Sequence, residues 1–313
     1  MADKRATREA YGETLIELAD EGHDVVAVEA DLSKSTTTSK FGDRYPDRFF
    51  NVGIAEQNMI GVAAGLAVGG STAFTGSFAV FATGRAYDQV RNTVCYSGLN
   101  VKVCPTHSGI TVGPDGGSHQ MLEDIALMRV LPGMRVVVPA DFTAAKAAIR
   151  AAAVTDGPFY VRLGRATLPL VYGDDFEFEL GRAYVLRDGT DVTLAACGVM
   201  VERALRAAEI LASEGVSAEV IDVCTIKPID AATLLASAGK TGAVIACEEH
   251  SIIGGLGSAV AEVLGEGCPV PLRRIGVRDV FGTSGEPDEL MAHFGLAERD
   301  VAAAARDAIG AKG

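Results

Sequence analysis

Short apolar runs alternate with longer, alanine-rich stretches from one end of the chain to the other. The runs Val25–Val28, Phe49–Val52, Thr72–Thr75, Val101–Cys104, Val136–Val138 and Phe159–Leu163 read as strands, and periodic stretches between them, such as Ala144–Val154, read as helices. Strands that are apolar at consecutive positions must be covered on both faces, so the alternation predicts parallel sheets flanked by helices. The pattern breaks over Ala166–Phe178, where Pro169, Gly173 and a cluster of acids mark a linker. It resumes with strands at Val192–Ala196, Ala218–Val223, Ala243–Cys247 and Leu272–Val277, and with helices at Glu202–Ala212, Ala231–Ala238 and from Gly257 to Leu264. The expected fold class is therefore α/β, with two parallel or mostly parallel sheet domains covered by helices: residues 1–168, a linker at 169–182, and a smaller domain at 183–313.

Polar residues of interest fall just past the predicted strand ends. Asp31 and Ser35 follow the Val25 strand, Glu56 the Phe49 strand, Phe78 the Thr72 strand, His107 the Val101 strand and Arg165 the Phe159 strand. In a parallel sheet these ends share one edge, where open α/β sheets bind ligands. Separate strands thus aim their candidates at one crevice.

Composition narrows the partners. The chain has 313 residues, 48% of them hydrophobic, and a net charge of −13, which argues against nucleic acid or an anionic membrane because either needs a basic face. The six cysteines, Cys95, Cys104, Cys197, Cys224, Cys247 and Cys268, form no Cys-x-x-Cys pair and fit a reducing cytoplasm. Met1-Ala2-Asp3-Lys4-Arg5 has no apolar core behind it, so no secretory signal is expected. The uncharged interval from Gln57 to Gly84 has the length of a membrane span, but Gly69-Gly70-Ser71-Thr72 divides it into a helix and a strand.

That interval also frames the chemistry. Glu56, in Asn51-Val52-Gly53-Ile54-Ala55-Glu56-Gln57-Asn58-Met59, is the last charge before Arg85, so its carboxylate fronts a long apolar stretch and is expected to be buried. Burial raises a carboxyl pKa unless a partner compensates, which equips an acid to trade protons near neutrality. The alternative is a helix N-terminal glutamate facing the positive end of the dipole. Phe78 and Phe81 follow in Gly76-Ser77-Phe78-Ala79-Val80-Phe81, where a ligand platform and ordinary core packing are both open. Two of the five histidines, His107 and His119, bracket a glycine-rich loop that also holds Asp115. A metal triad of His107, Asp115 and His119 would lack any ligand pair at short helical or strand spacing.

The ordered set Glu56, Phe78, Phe81, Thr106-His107-Ser108-Gly109 and Asp115-Gly116-Gly117-Ser118-His119-Gln120 resembles the pyrimidine-binding half of a transketolase-type thiamine diphosphate enzyme. The resemblance runs through nearly the whole chain, including Glu248-Glu249-His250-Ser251-Ile252-Ile253-Gly254-Gly255-Leu256-Gly257 in the second domain, whose glycines lack dinucleotide spacing and suit helix entry. It implies that Glu56 protonates a ring nitrogen of the cofactor's aminopyrimidine, help worth ~10²–10⁴-fold in rate. It implies that Phe78 and Phe81 form the platform under that ring, and that Asp31 lies near the cofactor at a subunit interface, with an N-cap as the alternative. His119 would face the developing alkoxide of the sugar, and Asp115 a donor hydroxyl. His107 would meet the sugar phosphate together with Arg8, Ser35 and Arg165, each charged hydrogen bond being worth ~1.5–3 kcal/mol. Taken alone, Arg8 reads as a solvated surface arginine.

The resemblance also has gaps. Gly84 stands where a third family aromatic is expected, and Ser108-Gly109 replaces an Asp-Ser pair. The Gly-Asp-Gly element that holds magnesium and diphosphate in the family has no counterpart, since Gly173-Asp174-Asp175 lacks its last glycine. The expectation is therefore the C-terminal subunit of a split transketolase, with no metal ligands of its own. It would transfer a two-carbon ketol unit between sugar phosphates and work in a two-plus-two complex with an N-terminal subunit that holds Mg²⁺. The alternatives are the beta subunit of a 2-oxo acid dehydrogenase, which would not need the phosphate clamp, and a non-catalytic regulatory subunit.

Overall fold

A computed structural model describes residues 4–312. The larger sheet has seven strands in the order Thr225–Lys227, Arg135–Val137, Phe159–Val161, Val101–Val103, Thr72–Gly76, Val25–Glu29 and Phe49–Asn51. All pairings are parallel except that of the Thr225–Lys227 edge strand. The strand Val25–Glu29 shows why apolar residues run consecutively. Val25 and Ala27 pack with Tyr11, Leu15 and Ile149 on one face, whereas Val26 and Val28 pack with Met59, Ile60 and Ala63 on the other. The helices Thr7–Asp20 and Phe142–Val154 thus cover one side and Glu56–Val68 the other. Phe142–Val154 starts where the Asp141 carboxylate accepts from the Ala144 N–H at 2.8 Å.

The smaller sheet runs Leu272–Val277, Val244–Ser251, Val192–Ala196, Ala218–Asp222 and Tyr184–Arg187, parallel but for the last strand. Its helices, Met200–Ser213, Ala231–Thr241, Leu256–Gly267 and Glu298–Gly310, complete an α/β unit. The α/β class and mostly parallel sheets expected from the sequence are those observed.

Two local expectations are corrected. Thr225–Lys227, which lies inside the second sequence segment, pairs with Arg135–Val137 and extends the first domain's sheet. The break at Ala166–Phe178 opens with a strand, Thr167–Pro169, which pairs antiparallel with Lys4–Ala6; a two-stranded ribbon is all edge, so Pro169 costs no ladder hydrogen bond in its middle. Among the described residues no helix is long and apolar enough to cross a membrane, and all six cysteines are free thiols, five of them buried.

Candidate active site

The helix Glu56–Val68 begins at Glu56 itself, so the buried carboxylate and the helix-start reading are both realised. Glu56 is 1% exposed, and Arg85 Nη1 donates to its Oε2 at 2.8 Å. Arg85 is reached through a π-helical turn at Val80–Arg85, a wider winding that accommodates one extra residue per turn. Its guanidinium also lies 4.7 Å from the centroid of the Phe81 ring. Sequence reasoning assigned Arg85 no role. The signal was present, because Arg85 is the charge that ends the uncharged run opened by Glu56.

The aromatic residues split in role. Phe78 is buried and stacks on the His107 ring at 3.8 Å between centroids, so one of its faces is spent on packing. Phe81 is only half-buried, lies 6.1 Å from Phe78 and meets His119 edge-on at 5.5 Å. Phe81 is the ring with surface left to offer.

His107 sits at positive φ (59°) at the end of the Val101–Val103 strand, its Nδ1 2.8 Å from Thr106 Oγ1. A non-glycine residue in that region is strained and is held there by its surroundings. Burial lowers its pKa to about 3, helped by the positive charges of Arg8 and Arg165 and by His119. The His107 ring is therefore neutral, where the sequence reading expected a charged contact. Arg8 and Arg165 share a cleft of about 400 Å³ with Thr111 and Pro114. Burial, and then Arg165, lower the pKa of Arg8, whose Nη1 donates to the Ser35 carbonyl at 3.1 Å. Arg8 Nε is buried without a hydrogen-bond partner in the protein, a donor that an anion in the cleft could satisfy.

The loop from His107 to His119 is gripped by the second domain. The Thr111 N–H donates to Glu249 Oε1 at 2.6 Å, and the Glu249 carboxylate lies so close to Gly109 (φ 75°) that a Cβ there would overlap it. Gln120 Nε2 donates to the carbonyls of Ile110 at 3.1 Å and Thr283 at 2.9 Å. Ser108-Gly109, a departure at the sequence level, is thus where the second domain reaches the site. Glu248 accepts from the N–H groups of Leu256 and Gly257 at 2.7 and 2.8 Å, the helix entry expected for that glycine-rich stretch.

One chain of contacts runs from Glu56 through Arg85, Phe81, His119 and Phe78 to His107, and the charges of Arg8, which bonds Ser35, and of Arg165 act on the His107 ring. Asp31 and Asp115 stand outside it. Asp31 (φ 64°) is exposed and pairs with Asn51, whose Nδ2 donates to it at 3.3 Å; the short helix beside it is preceded by Leu32, so Asp31 is not an N-cap. Asp115 is exposed in the turn before His119.

The family models for the transketolase pyrimidine-binding domain and the transketolase C-terminal domain match residues 3–171 and 181–301. The chain is 48% identical over 300 residues to a 6-deoxy-6-sulfo-D-fructose transketolase subunit of Clostridium sp. (strain MSTE9), covering 96% of this chain and 93% of the relative. It is 41% identical to one subunit of the apulose-4-phosphate transketolase of Phocaeicola vulgatus, covering 95% of each. Human transketolase is 36% identical across 99% of this chain, which spans 50% of that protein. A solved split-gene transketolase, described as an inactive beta4 tetramer, superposes with a TM-score of 0.92 at 51% identity and covers 99% of this chain and 100% of its own. The chain belongs to the transketolase family, in which it corresponds to the C-terminal subunit of a transketolase divided between two polypeptides.

Proposed function

We propose that this chain supplies the pyrimidine half of a thiamine diphosphate-dependent transketolase and moves a two-carbon ketol unit between sugar phosphates, in a two-plus-two complex with an N-terminal subunit that holds magnesium and the diphosphate. The observation that carries this reading is Glu56: a buried carboxylate beside a half-buried aromatic ring, restrained by a single arginine that is about half exposed. Those residues fit the aminopyrimidine end of the cofactor. The metal is assigned to the partner because Gly173-Asp174-Asp175 lacks the last glycine of the family's magnesium-binding element.

When bound, thiamine diphosphate supplies the nucleophilic carbon and electron sink that cleavage of a ketose C–C bond needs. Glu56 holds the proton exchanged with the ring nitrogen, and Phe81, with Phe78 behind it, supports the ring's face. Asp31, at the rim, faces the subunit boundary. In this reading His119, which meets Phe81 edge-on, exchanges a proton with a sugar hydroxyl, and Asp115, four residues before it in the chain, binds a donor hydroxyl. Arg8 and Arg165, with Ser35 and the neutral His107, bind the sugar phosphate, as the unpartnered Arg8 Nε favours. The activities for which the relatives are named, on 6-deoxy-6-sulfo-D-fructose and on apulose 4-phosphate, favour ketol transfer over the dehydrogenase alternative. The test is turnover by the complex with its co-purifying partner, compared with the same complex carrying Glu56→Gln. A loss of at least ~10²-fold with unchanged circular dichroism is expected. Near-normal turnover by the variant would remove Glu56 from the reaction.

A further inference from the structure

Arg85 makes two contacts that bear on the same small volume. It donates to Glu56 Oε2 at 2.8 Å and lies 4.7 Å from the Phe81 centroid. A flat ring that hydrogen-bonds Glu56 while stacking on Phe81 must lie between the two, and the guanidinium fills that space. The side chain is 49% exposed, so it has somewhere to go. Its backbone sits at the end of the π-helical turn Val80–Arg85, next to Gly84, where a swing of the chain meets no side chain of the preceding residue.

We infer that Arg85 is a removable stopper of the cofactor site: it covers the platform and neutralises Glu56 while the site is open, and it leaves when the pyrimidine ring enters. This rests on the function proposed above and adds a step to it. Once Arg85 departs, the Glu56 carboxyl group and the face of Phe81 are both open to the ring.

Other ionisable groups on the elements packed against the Glu56 helix are occupied or set apart. Glu29 accepts from the hydroxyls of Thr36 and Thr38, and Lys102 donates to the carbonyls of Thr155 and Gly157. Asp88 and Arg91 both bond Asn92, and burial raises the Cys95 thiol to about 11. Tyr87 lies on the same helical segment, and His107 and His119 lie across the phenylalanines. Among the described residues the ion pair formed by Glu56 is with Arg85.

The experiment titrates thiamine diphosphate with magnesium into the complete two-subunit complex by calorimetry. Arg85→Ala should bind about five- to thirtyfold tighter, the change that ~1–2 kcal/mol of released competing contacts gives. Arg85→Lys retains the cation and should bind as the unchanged complex does. Unchanged or weaker binding by Arg85→Ala overturns the inference. If the unchanged complex binds no thiamine diphosphate at all, it is the proposed function that fails.

Discussion

Arg162→Met would strike the clasp that joins Met121 and Asp124 to Glu249 of the second domain. Arg162 is 7% exposed and Asp124 is fully buried. The guanidinium grips Asp124 through Nε at 2.7 Å and Nη2 at 3.2 Å, and Nη2 also donates to the carbonyls of Met121 at 3.2 Å and Glu249 at 3.0 Å. Tyr160 adds a hydrogen bond to Asp124 at 2.5 Å. Burial by itself raises the Asp124 carboxyl, but the charge of Arg162, then His250, and the hydrogen bonds of Arg162 and Tyr160 bring it below the ordinary carboxylate range. Because the folded-state pKa is depressed, this group's stabilisation is present above its unfolded pKa and is lost only as pH falls through the folded one. Removing the arginine leaves an uncompensated buried charge, a loss of about 3–5 kcal/mol at pH 7 and a large share of a typical 5–15 kcal/mol total. Asp124 in the variant would have its pKa raised, so the loss should shrink towards pH 5 as the carboxyl is protonated. Thermal and urea unfolding followed by circular dichroism at both pH values measures this, with separate transitions fitted for the two domains. Asp124→Leu with Arg162→Met should recover most of the loss, less the cost of an unpartnered Tyr160 hydroxyl, ~1–3 kcal/mol. A single variant within ~1 kcal/mol of the parent, or a double variant no more stable than the single, would refute the reasoning.

Arg8→Ala and Arg165→Ala should each weaken use of phosphorylated sugars by roughly 10- to 150-fold, as loss of ~1.5–3 kcal/mol per charged contact requires, while hardly changing use of unphosphorylated ones; equal losses on both classes would place these residues elsewhere. His107→Ala should show the smaller phosphate effect of a neutral donor, ~0.5–1.5 kcal/mol. With a folded pKa of about 3, below the unfolded histidine value, His107 should stay neutral in nuclear magnetic resonance titrations down to about pH 4, and its burial should cost stability progressively as pH falls from ~6.5 towards 3. A His107 titration near pH ~6.5 in the unliganded protein would contradict that assignment.

The two-sided strands and their helices were readable because a parallel strand covered on both faces leaves an apolar run, as in Val25–Val28. A shared crevice for Glu56, Phe78, His107 and Arg165 was expected from their place beyond strand ends, whereas Arg8 and His119 were placed there only through the resemblance. What the sequence hid is long-range. Thr225–Lys227 has three residues, too few for a period, and nothing local says that it pairs with Arg135–Val137. The Arg85–Glu56 pair depends on a π-helical turn, which has no hydrophobic signature of its own. Neutrality of His107 depends on burial and on two arginines more than fifty residues away on either side of it in the chain. Gly109 read as a departure because its reason, the carboxylate of Glu249, arrives from the other domain.

The central claim is that this chain holds half a cofactor site. Titrating thiamine diphosphate and magnesium calorimetrically into the purified chain, and then into the chain with its magnesium-holding partner, tests it directly. The account predicts weak binding and no ketol transfer alone, and tight binding with turnover in a two-plus-two complex, cofactor and partner each strengthening the other's affinity by the same factor. Tight stoichiometric binding or turnover by the chain alone would contradict it.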